Sequence, residues 1–235
     1  MPKRKYKYNE RFFKDIDTVR SYWLGFIMGD GYISKRGLRI RLQIKDKEHL
    51  DCLVKCLNSD IDIKIYKNTG FGLGHKIAEF TVNNKFINQD LYDLGFKNGI
   101  KSGTEFIPES VKNDKELFYA FLLGLFDADG STTYREKIRH REFNIISGSN
   151  MILDLKNTIN NFNNLISFSK DKIDKRVKID IATLRICNKI SLIEIYKSLY
   201  KLNQKTLSDI YLKRKKEKFD ILINSYKSAA LNSDI

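Results

Sequence analysis

The stretch LLGLFDADG, Leu122 to Gly130, ends an apolar run with two carboxylates, Asp127 and Asp129. A looser copy, WLGFIMGDG, occupies Trp23 to Gly31 and keeps only the later acid, Asp30. Both stretches are apolar enough for a buried helix, so core packing alone does not account for acids at their ends. The two copies suggest that the chain contains a duplication.

A second pair of matching segments supports the duplication. Residues 80 to 102, FTVNNKFINQDLYDLGFKNGIKS, match residues 184 to 206, LRICNKISLIEIYKSLYKLNQKT, at a constant offset of 104. The acids Asp30 and Asp129 are 99 residues apart, so the second copy carries about five extra residues, which we place in a hairpin around residues 134 to 142. Two features that recur in the same order indicate an internal repeat.

The halves divide at the polar stretch GTEFIPESVKNDKE, which contains Pro108. We expect one domain at residues 1–108 and a second at residues 109–235. Hydrophobic periodicity in each half predicts a helix, two strands, a helix, two strands and a helix, that is, an α+β fold of two pseudo-symmetric αββαββα halves. In the second half we expect strands near residues 143–147, 165–169 and 177–186, and a C-terminal helix over Leu207 to Tyr226.

Each motif helix has a strip of small residues along one face. Gly25 and Gly29 are four residues apart, as are Gly124 and Ala128. Two such strips can approach closely, which predicts that the motif helices pack side by side. The last acids of the two motifs would then lie together, and the glycine after each acid suits the left-handed residue that often ends a helix.

Paired acids at helix C-termini predict a metal site. A helix C-terminus carries roughly half a negative charge, and two facing carboxylates repel each other as well. A divalent cation reverses this preference, because carboxylates and backbone carbonyls are the hard oxygen donors that Mg²⁺ prefers. Asp30 and Asp129 are therefore candidate Mg²⁺ ligands, and such a site beside a cationic groove suits phosphodiester hydrolysis.

The composition favours a polyanionic partner. The formal charge is +14, from 43 Lys and Arg against 29 Asp and Glu. Clustered cations gain affinity for nucleic acid by releasing its counterions; the alternative is AT-rich coding, which raises Lys, Asn, Ile and Tyr regardless of function. An odd number of cysteines and no long apolar run predict an intracellular protein without a membrane partner, cytoplasmic or nucleoid-associated, or in an organellar matrix if organelle-encoded.

One predicted strand has a cationic face. In LRIRLQIK, Leu38 to Lys45, the even-numbered residues are apolar and the odd-numbered residues are Arg39, Arg41, Gln43 and Lys45. Side chains of a strand alternate between its two faces, so one face is core and the other carries no acid. This face is either an ordinary solvated surface or one that reads base edges in a major groove.

The paired motifs, LLGLFDADG above all, resemble the LAGLIDADG signature, and the repeat over nearly the whole chain is similar to that of single-chain LAGLIDADG homing endonucleases. The resemblance implies a monomer with internal pseudo-twofold symmetry, whose two sheets form a saddle for double-stranded DNA. It implies a site-specific double-strand endonuclease that uses Mg²⁺, with Mn²⁺ or Ca²⁺ able to occupy the same sites. The alternative is an intron RNA maturase, or a DNA-binding protein of this fold that does not cleave.

The resemblance also assigns metal ligands. The last acid of each motif, Asp30 and Asp129, would bind the metal together with the backbone carbonyls of Gly29 and Ala128. Asp127 has an apolar counterpart in the first copy, so we expect its role to be structural.

Basic and polar residues are expected around the metal pocket. The repeat-matched lysines Lys101 and Lys205 are the candidates by resemblance, with simple phosphate contact as the alternative. Gln43 is the candidate polar residue on the hairpin strand, with Ser147 as its counterpart. The run KRKK, Lys213 to Lys216, fits phosphate contact and a solvated helix face equally. The other candidate DNA contacts are Arg39, Arg41, Lys45, Lys76, Arg135, Arg139, Arg141, Lys178 and Arg185.

Overall fold

The first half of the chain has the predicted order of elements. The structure is a computed structural model that describes residues 6–68, 74–99, 103–169, 181–202, 204–207 and 210–231. The elements of the first half are α1 (Thr18–Asp30), β1 (Gly31–Ile33), β2 (Leu38–Gln43), α2 (Lys47–Cys56), β3 (Lys64–Lys67), β4 (Lys76–Val82) and α3 (Lys85–Asp93).

Among the described residues, the second half has this order with additional helices but with one strand instead of two between its second and third main helices. Its elements are α4 (Glu109–Lys112), α5 (Lys115–Asp129), β5 (Gly130–Arg135), β6 (His140–Gly148), α6 (Ser149–Phe162), β7 (Ile181–Ile186), α7 (Lys189–Tyr200), α8 (Gln204–Leu207) and α9 (Lys213–Leu231). Mixed helices and antiparallel sheets confirm the predicted α+β class. The strand predicted near residues 165–169 is wrong: the segment is irregular, with one backbone bond from Ser169 N–H to the Arg185 carbonyl at 2.8 Å.

The sheet registers locate the extra residues of the second copy. The strand order is β1-β2-β4-β3 in the first sheet and, in the described part, β5-β6-β7 in the second. Gly31 pairs with Ile40, nine residues on, whereas Gly130 pairs with Ile145, fifteen residues on. The second hairpin is therefore six residues longer, at the predicted place, and Ile145 is the counterpart of Ile40.

The two motif helices, α1 and α5, pack with their backbones in contact. A Cβ atom on Gly25 would lie 1.9 Å from the Phe121 carbonyl oxygen, and one on Gly124 would lie 1.9 Å from the Tyr22 carbonyl oxygen. Any side chain larger than hydrogen would separate the helices. The prediction that strips of small residues bring the motif helices together is confirmed.

The glycines after the motifs have a different role from the predicted one. Gly31 and Gly130 are extended, with φ of −77° and −82°, and they begin strands, so the left-handed prediction was wrong. A Cβ on Gly31 would lie 2.7 Å from the Ile27 carbonyl oxygen, and one on Gly130 would lie 2.2 Å from Phe126 Cδ2. Glycine is needed because the strand turns back tightly against the last helical turn.

The motif helices are core elements. Every residue of α1 from Ser21 to Met28 and of α5 from Phe118 to Asp127 is buried. A helix that is apolar all round is buried either in a protein core or in a membrane. Within the described residues, no helix combines the length and apolarity that a membrane span needs.

The C-terminal helix begins later than predicted. It starts at Lys213 instead of Leu207, because the backbone N–H of Leu212 donates to the carboxylate of Asp127 at 2.8 Å. This bond holds the start of α9 beside the end of α5.

Gly124→Ala should destabilise the protein by about 3 kcal/mol or more, because the added methyl group meets backbone, which cannot rotate away. Urea unfolding midpoints would measure the change. Lys115→Ala, at an exposed position of the same helix, is the control. A Gly124→Ala protein within about 0.5 kcal/mol of wild type would contradict the close contact.

Candidate metal and nucleic-acid site

The two motif helices end together, each on an exposed aspartate. Asp30 is the last residue of α1 and Asp129 the last of α5. A Cβ atom on Gly29 would lie 2.3 Å from Ala128 Cβ and 2.8 Å from Asp129 Oδ2. The helix ends are therefore in contact, and the Asp129 carboxylate lies against the last turn of α1.

This donor set fits a cation that keeps other ligands. Mg²⁺ is commonly bound by one or two protein carboxylates, with water and substrate phosphate completing its shell. In the part of the chain that the structure describes, no cluster of three or more His, Cys, Asp or Glu side chains could enclose a metal. The pair Asp30 and Asp129 thus suits an open metal site instead of a closed cage.

Lys215 binds the end of α5. Its Nζ donates to the backbone oxygens of Phe126 at 2.7 Å, Ala128 at 3.1 Å and Gly130 at 2.8 Å. The last carbonyls of a helix lack partners within the helix and carry its negative pole, so an ammonium stabilises them. Burial lowers the pKa of Lys215 to about 8, although nearby acids, Asp127 foremost, act to raise it.

Asp127 is a buried anchor, in accordance with its expected structural role. Its Oδ2 accepts from the Tyr22 hydroxyl at 2.7 Å and from the Leu212 N–H at 2.8 Å, and the Tyr22 hydroxyl lies 3.1 Å from His49 Nε2. Burial raises the pKa of Asp127 to about 7 and lowers the pKa of His49 to about 3. The side chain therefore connects α1, α5 and the start of α9.

Arg214 joins α9 to the first half. Its Nε and Nη2 donate to the two carboxylate oxygens of Asp46 at 2.7 Å and 2.9 Å. The sequence analysis does not decide between phosphate contact and a solvated helix face for the KRKK run, but the spacing of the apolar residues that follow indicates which of its members is buried. Lys215, Phe219 and Leu222 recur at helical spacing and are all buried, so Lys215 belongs to the packed face of α9.

The polar face of the first sheet carries the expected cations and one acid. Burial alternates along β2, with Arg39, Arg41 and Gln43 on the side away from the core. The Arg39 guanidinium lies 4.7 Å from the Tyr32 ring centroid, and Arg41 Nε donates to Glu79 Oε2 at 2.6 Å. β2 has no acid of its own, but β4 supplies Glu79 across the sheet.

Two residues predicted to contact DNA, Lys45 and Lys76, are not on this polar face. Lys45 is in the 3-10 turn Ile44–Asp46, because β2 ends at Gln43. Lys76 is the first residue of β4, and alternation places it on the opposite face from Glu79.

The polar face of the second sheet is hydrogen-bonded differently. Glu142 accepts from Arg185 Nε at 3.1 Å and from Asn144 Nδ2 at 2.8 Å. Asn144 Oδ1 in turn accepts from the Ser131 hydroxyl at 3.0 Å. Ile146, the next residue on the same face of β6, is 52% exposed.

The three other described arginines predicted to contact DNA in the second half lie in different places. Arg135 is exposed at the end of β5, and Arg139 lies in the hairpin with a left-handed φ of 49°. Arg141 is on the opposite face of β6: its Nε donates to Ser225 Oγ at 2.7 Å, and its guanidinium lies 4.5 Å from the Tyr226 ring centroid. Arg141 is thus held against α9, away from the polar face.

The expected counterpart of Gln43 changes with the register. Because Ile145 corresponds to Ile40, the counterpart of Gln43 is Gly148. Ser147 faces the core and is only 9% exposed. The expectation for Ser147 was wrong because the repeat offset is 105, not 104, within this hairpin.

The structure leaves three of the expected cations without a description. Lys101 and Lys178 lie outside the described residues, and Lys205 falls in α8 but its side chain lies outside them.

Comparison with solved structures places this architecture in a known fold. The chain is similar to the homing endonuclease I-WcaI bound to its DNA recognition sequence, with TM-score 0.58 and 18% identity over 88% of this chain and 90% of that chain. It is similar to the meganuclease I-SmaMI bound to uncleavable DNA, with TM-score 0.52 and 12% identity over 88% and 87%. The N-terminal LAGLIDADG domain of DUF199/WhiA gives TM-score 0.50 and 16% identity over 81% and 89%.

Scans against protein-family models and against curated proteins found no match. The structural likeness establishes that the chain has the α+β LAGLIDADG fold.

Asp127→Asn tests the buried carboxyl. The pKa of Asp127 is about 7 in the folded protein, against an ordinary value of 3.8. Between pH 3.8 and pH 7 the folded protein therefore holds a proton on Asp127 that the unfolded chain has lost. Its contribution to stability is complete below pH 3.8 and is lost as the pH rises to about 7, by at most ~1.4 kcal/mol per pH unit. The neutral amide lacks this dependence but still accepts from Tyr22 and Leu212.

We therefore expect the variant to gain stability relative to wild type as the pH rises from 5 to 7, measured by urea unfolding. His49 has the opposite pH dependence over an overlapping range, but it is present in both proteins, so the difference isolates Asp127. A difference that does not change with pH would contradict the raised pKa.

Proposed function

We propose that the protein is a metal-dependent, site-specific double-strand DNA endonuclease of the homing type. The observation that carries this proposal is the contact between the ends of α1 and α5, which brings two exposed carboxylates, Asp30 and Asp129, to one place. Each acid is followed at once by the first strand of a sheet with arginines on its polar face. The likeness to two DNA-bound homing endonucleases over most of the chain supports it.

Asp30 and Asp129 would hold the divalent cation, Mg²⁺ by their chemistry, with the Gly29 carbonyl as a further candidate ligand. The Ala128 carbonyl already binds Lys215, which makes it the less suitable of the two matched carbonyls. When bound, the cation would activate water and stabilise the departing oxygen of the phosphodiester.

The polar faces of the two sheets would bind the DNA duplex. A six-residue strand such as β2 is roughly 20 Å long, or about six base pairs of DNA. Arg and Gln match base edges in the major groove, and arginines also neutralise phosphates. Arg41 and Arg185 are each held by a glutamate, so their guanidinium groups are oriented before DNA arrives. Two sheets, one from each half, would read the two halves of a long target.

Lys215 would act as a positioning residue of this site. The negative charges of Asp30 and Asp129 both act to raise the pKa of Lys215. Its ammonium would therefore interact electrostatically with the two carboxylates. It neutralises the end of α5 and holds the backbone on either side of Asp129. The backbone of Asp129 would thereby be held in place before a metal or DNA binds.

A protein of this fold that binds DNA without cutting it is the second candidate. One observation favours it: the Lys215 ammonium already supplies positive charge at the end of α5, so the helix end does not require a metal for stability. Cleavage of a selected duplex in Mg²⁺ separates the two candidates.

Asp30→Asn and Asp129→Asn should each reduce cleavage about 10³-fold or more, because a metal ligand worth several kcal/mol of charge stabilisation is lost. The target duplex comes from selection of cleaved sequences in a randomised library with Mg²⁺. DNA affinity should stay the same or rise slightly, because the substitution removes a negative charge near the phosphates.

Asp51→Asn, which changes a half-buried acid paired with Lys47 on α2, is the control and should cut normally. Undiminished cutting by either motif variant would exclude the assigned metal ligands.

Lys215→Arg should change the pH dependence of cleavage. Single-turnover cleavage by the wild type is expected to fall as the pH rises above about 8, where Lys215 loses its proton. Arginine stays protonated, so the decline should move to higher pH. Lys216→Arg, at a neighbouring lysine paired with Asp220, should keep the wild-type profile. If cleavage by Lys215→Arg declines over the same pH range as cleavage by the wild type, the proposed role of Lys215 in the site is contradicted.

A further inference from the structure

The polar faces of the two sheets differ at equivalent positions. Because Ile145 corresponds to Ile40, the counterpart of Arg39 is Asn144 and the counterpart of Arg41 is Ile146. The second sheet therefore has an amide and an aliphatic side chain where the first sheet has two guanidinium groups. These two positions lie on β2 and β6, the strands that pair with the segment directly after each motif.

Ile146 is an apolar group on a hydrogen-bonding surface. It is 52% exposed and pairs across the sheet with Thr183, while Asn144 lies two residues earlier on the same face. A single exposed isoleucine is ordinary on a protein surface, but this one occupies the position of an arginine, and the other side chains that β5 and β6 place on this face are polar. The apolar group that a base pair presents in the major groove is the thymine methyl, and it fits such a side chain.

Asn144 is oriented by its neighbours. Its Oδ1 accepts from Ser131 and its Nδ2 donates to Glu142, which uses one lone pair and one N–H. One lone pair of Oδ1 and one N–H of Nδ2 remain for another partner. An amide in this state can accept from N6 and donate to N7 of adenine.

The spacing of the two side chains matches the spacing of bases. Residues two apart on one strand are roughly 6.8 Å apart, and bases on one DNA strand are roughly 3.4 Å apart. Asn144 and Ile146 would therefore meet base pairs about two steps apart.

We propose that the second sheet reads A·T pairs, with Asn144 on an adenine and Ile146 against a thymine methyl about two base pairs away. The first sheet would place Arg39 and Arg41 at the same steps of the other half-site, where guanine is the matching base. The two halves of the chain would thus prefer different sequences despite their common fold. This inference depends on the proposed DNA binding and not on cleavage.

Removal of single methyl groups from the DNA tests the assignment of Ile146. A duplex is selected for binding to the wild-type protein from a randomised library in EDTA, so that no cutting intervenes. Each thymine is then replaced by deoxyuridine, which lacks only the methyl group. We expect one position at which this change weakens wild-type binding about fourfold, the effect of one buried methyl group.

The Ile146→Ala protein should bind the duplex with thymine and the duplex with deoxyuridine at this position equally well. Ile221→Ala removes an isoleucine of similar exposure, 58%, from α9 and should behave as wild type.

A matched substitution tests Asn144. Replacement of adenines by 7-deazaadenine removes the N7 acceptor, and about tenfold weaker binding is expected at one adenine, about two base pairs from the sensitive thymine. Asn144→Ala should lose this sensitivity and keep the sensitivity to deoxyuridine.

The outcomes separate the two proposals. If the protein binds a selected duplex but Ile146→Ala keeps the deoxyuridine effect, or no thymine is sensitive, the A·T assignment is overturned and DNA binding stands. If the protein binds no duplex at all, the proposed function and this inference both fail.

Discussion

The structure depends on the contact between two peptide backbones, where α1 and α5 touch at Gly25 and Gly124. No side chain separates the helices there, so backbone sterics fix their distance and no rotamer can adjust it. The contact also fixes the positions of the acids that end the helices, because each acid lies about one and a half turns beyond it. It fixes the two sheets as well, since β1 and β5 begin at the next residue. One pair of glycines thus sets both the carboxylate pair and the positions of the proposed DNA-binding surfaces.

The end of α5 is stabilised by contacts from α9. Lys215 donates to three carbonyls at the end of α5, and the N–H of Leu212 donates to the carboxylate of Asp127 in the same helix end. Asp127 is buried with a raised pKa, and its Oδ1 has no hydrogen-bond partner among the described residues, which is an unfavourable state for a carboxyl group. The Lys215 ammonium and the Arg214 guanidinium act against that cost. The internal symmetry therefore applies to the fold and to Asp30 and Asp129, but not to Asp127, whose counterpart in the first copy is Met28.

Features that depend on local spacing were predictable from the sequence, and features that depend on distant partners were not. The small-residue strips predicted the helix pair because helical periodicity alone places Gly25 and Gly29 on one face. The strand carrying Arg41 was read as free of acids, which is true along the strand but not across the sheet, where Glu79 is its neighbour. Lys215 was left unassigned because its partners lie 85 to 89 residues earlier. The Ser147 assignment failed because an insertion shifted the repeat offset by one residue.

The binding of α9 to the end of α5 has a consequence for biosynthesis. At a translation rate of about 5–20 residues per second, the 85 residues between Gly130 and Lys215 take roughly 4–17 s to synthesise. During that interval Asp127 and the last carbonyls of α5 still lack their partners from α9. The contact between Gly25 and Gly124 needs no residue of α9, whereas the bonds that hold the end of α5 can form only after Lys215 has been synthesised.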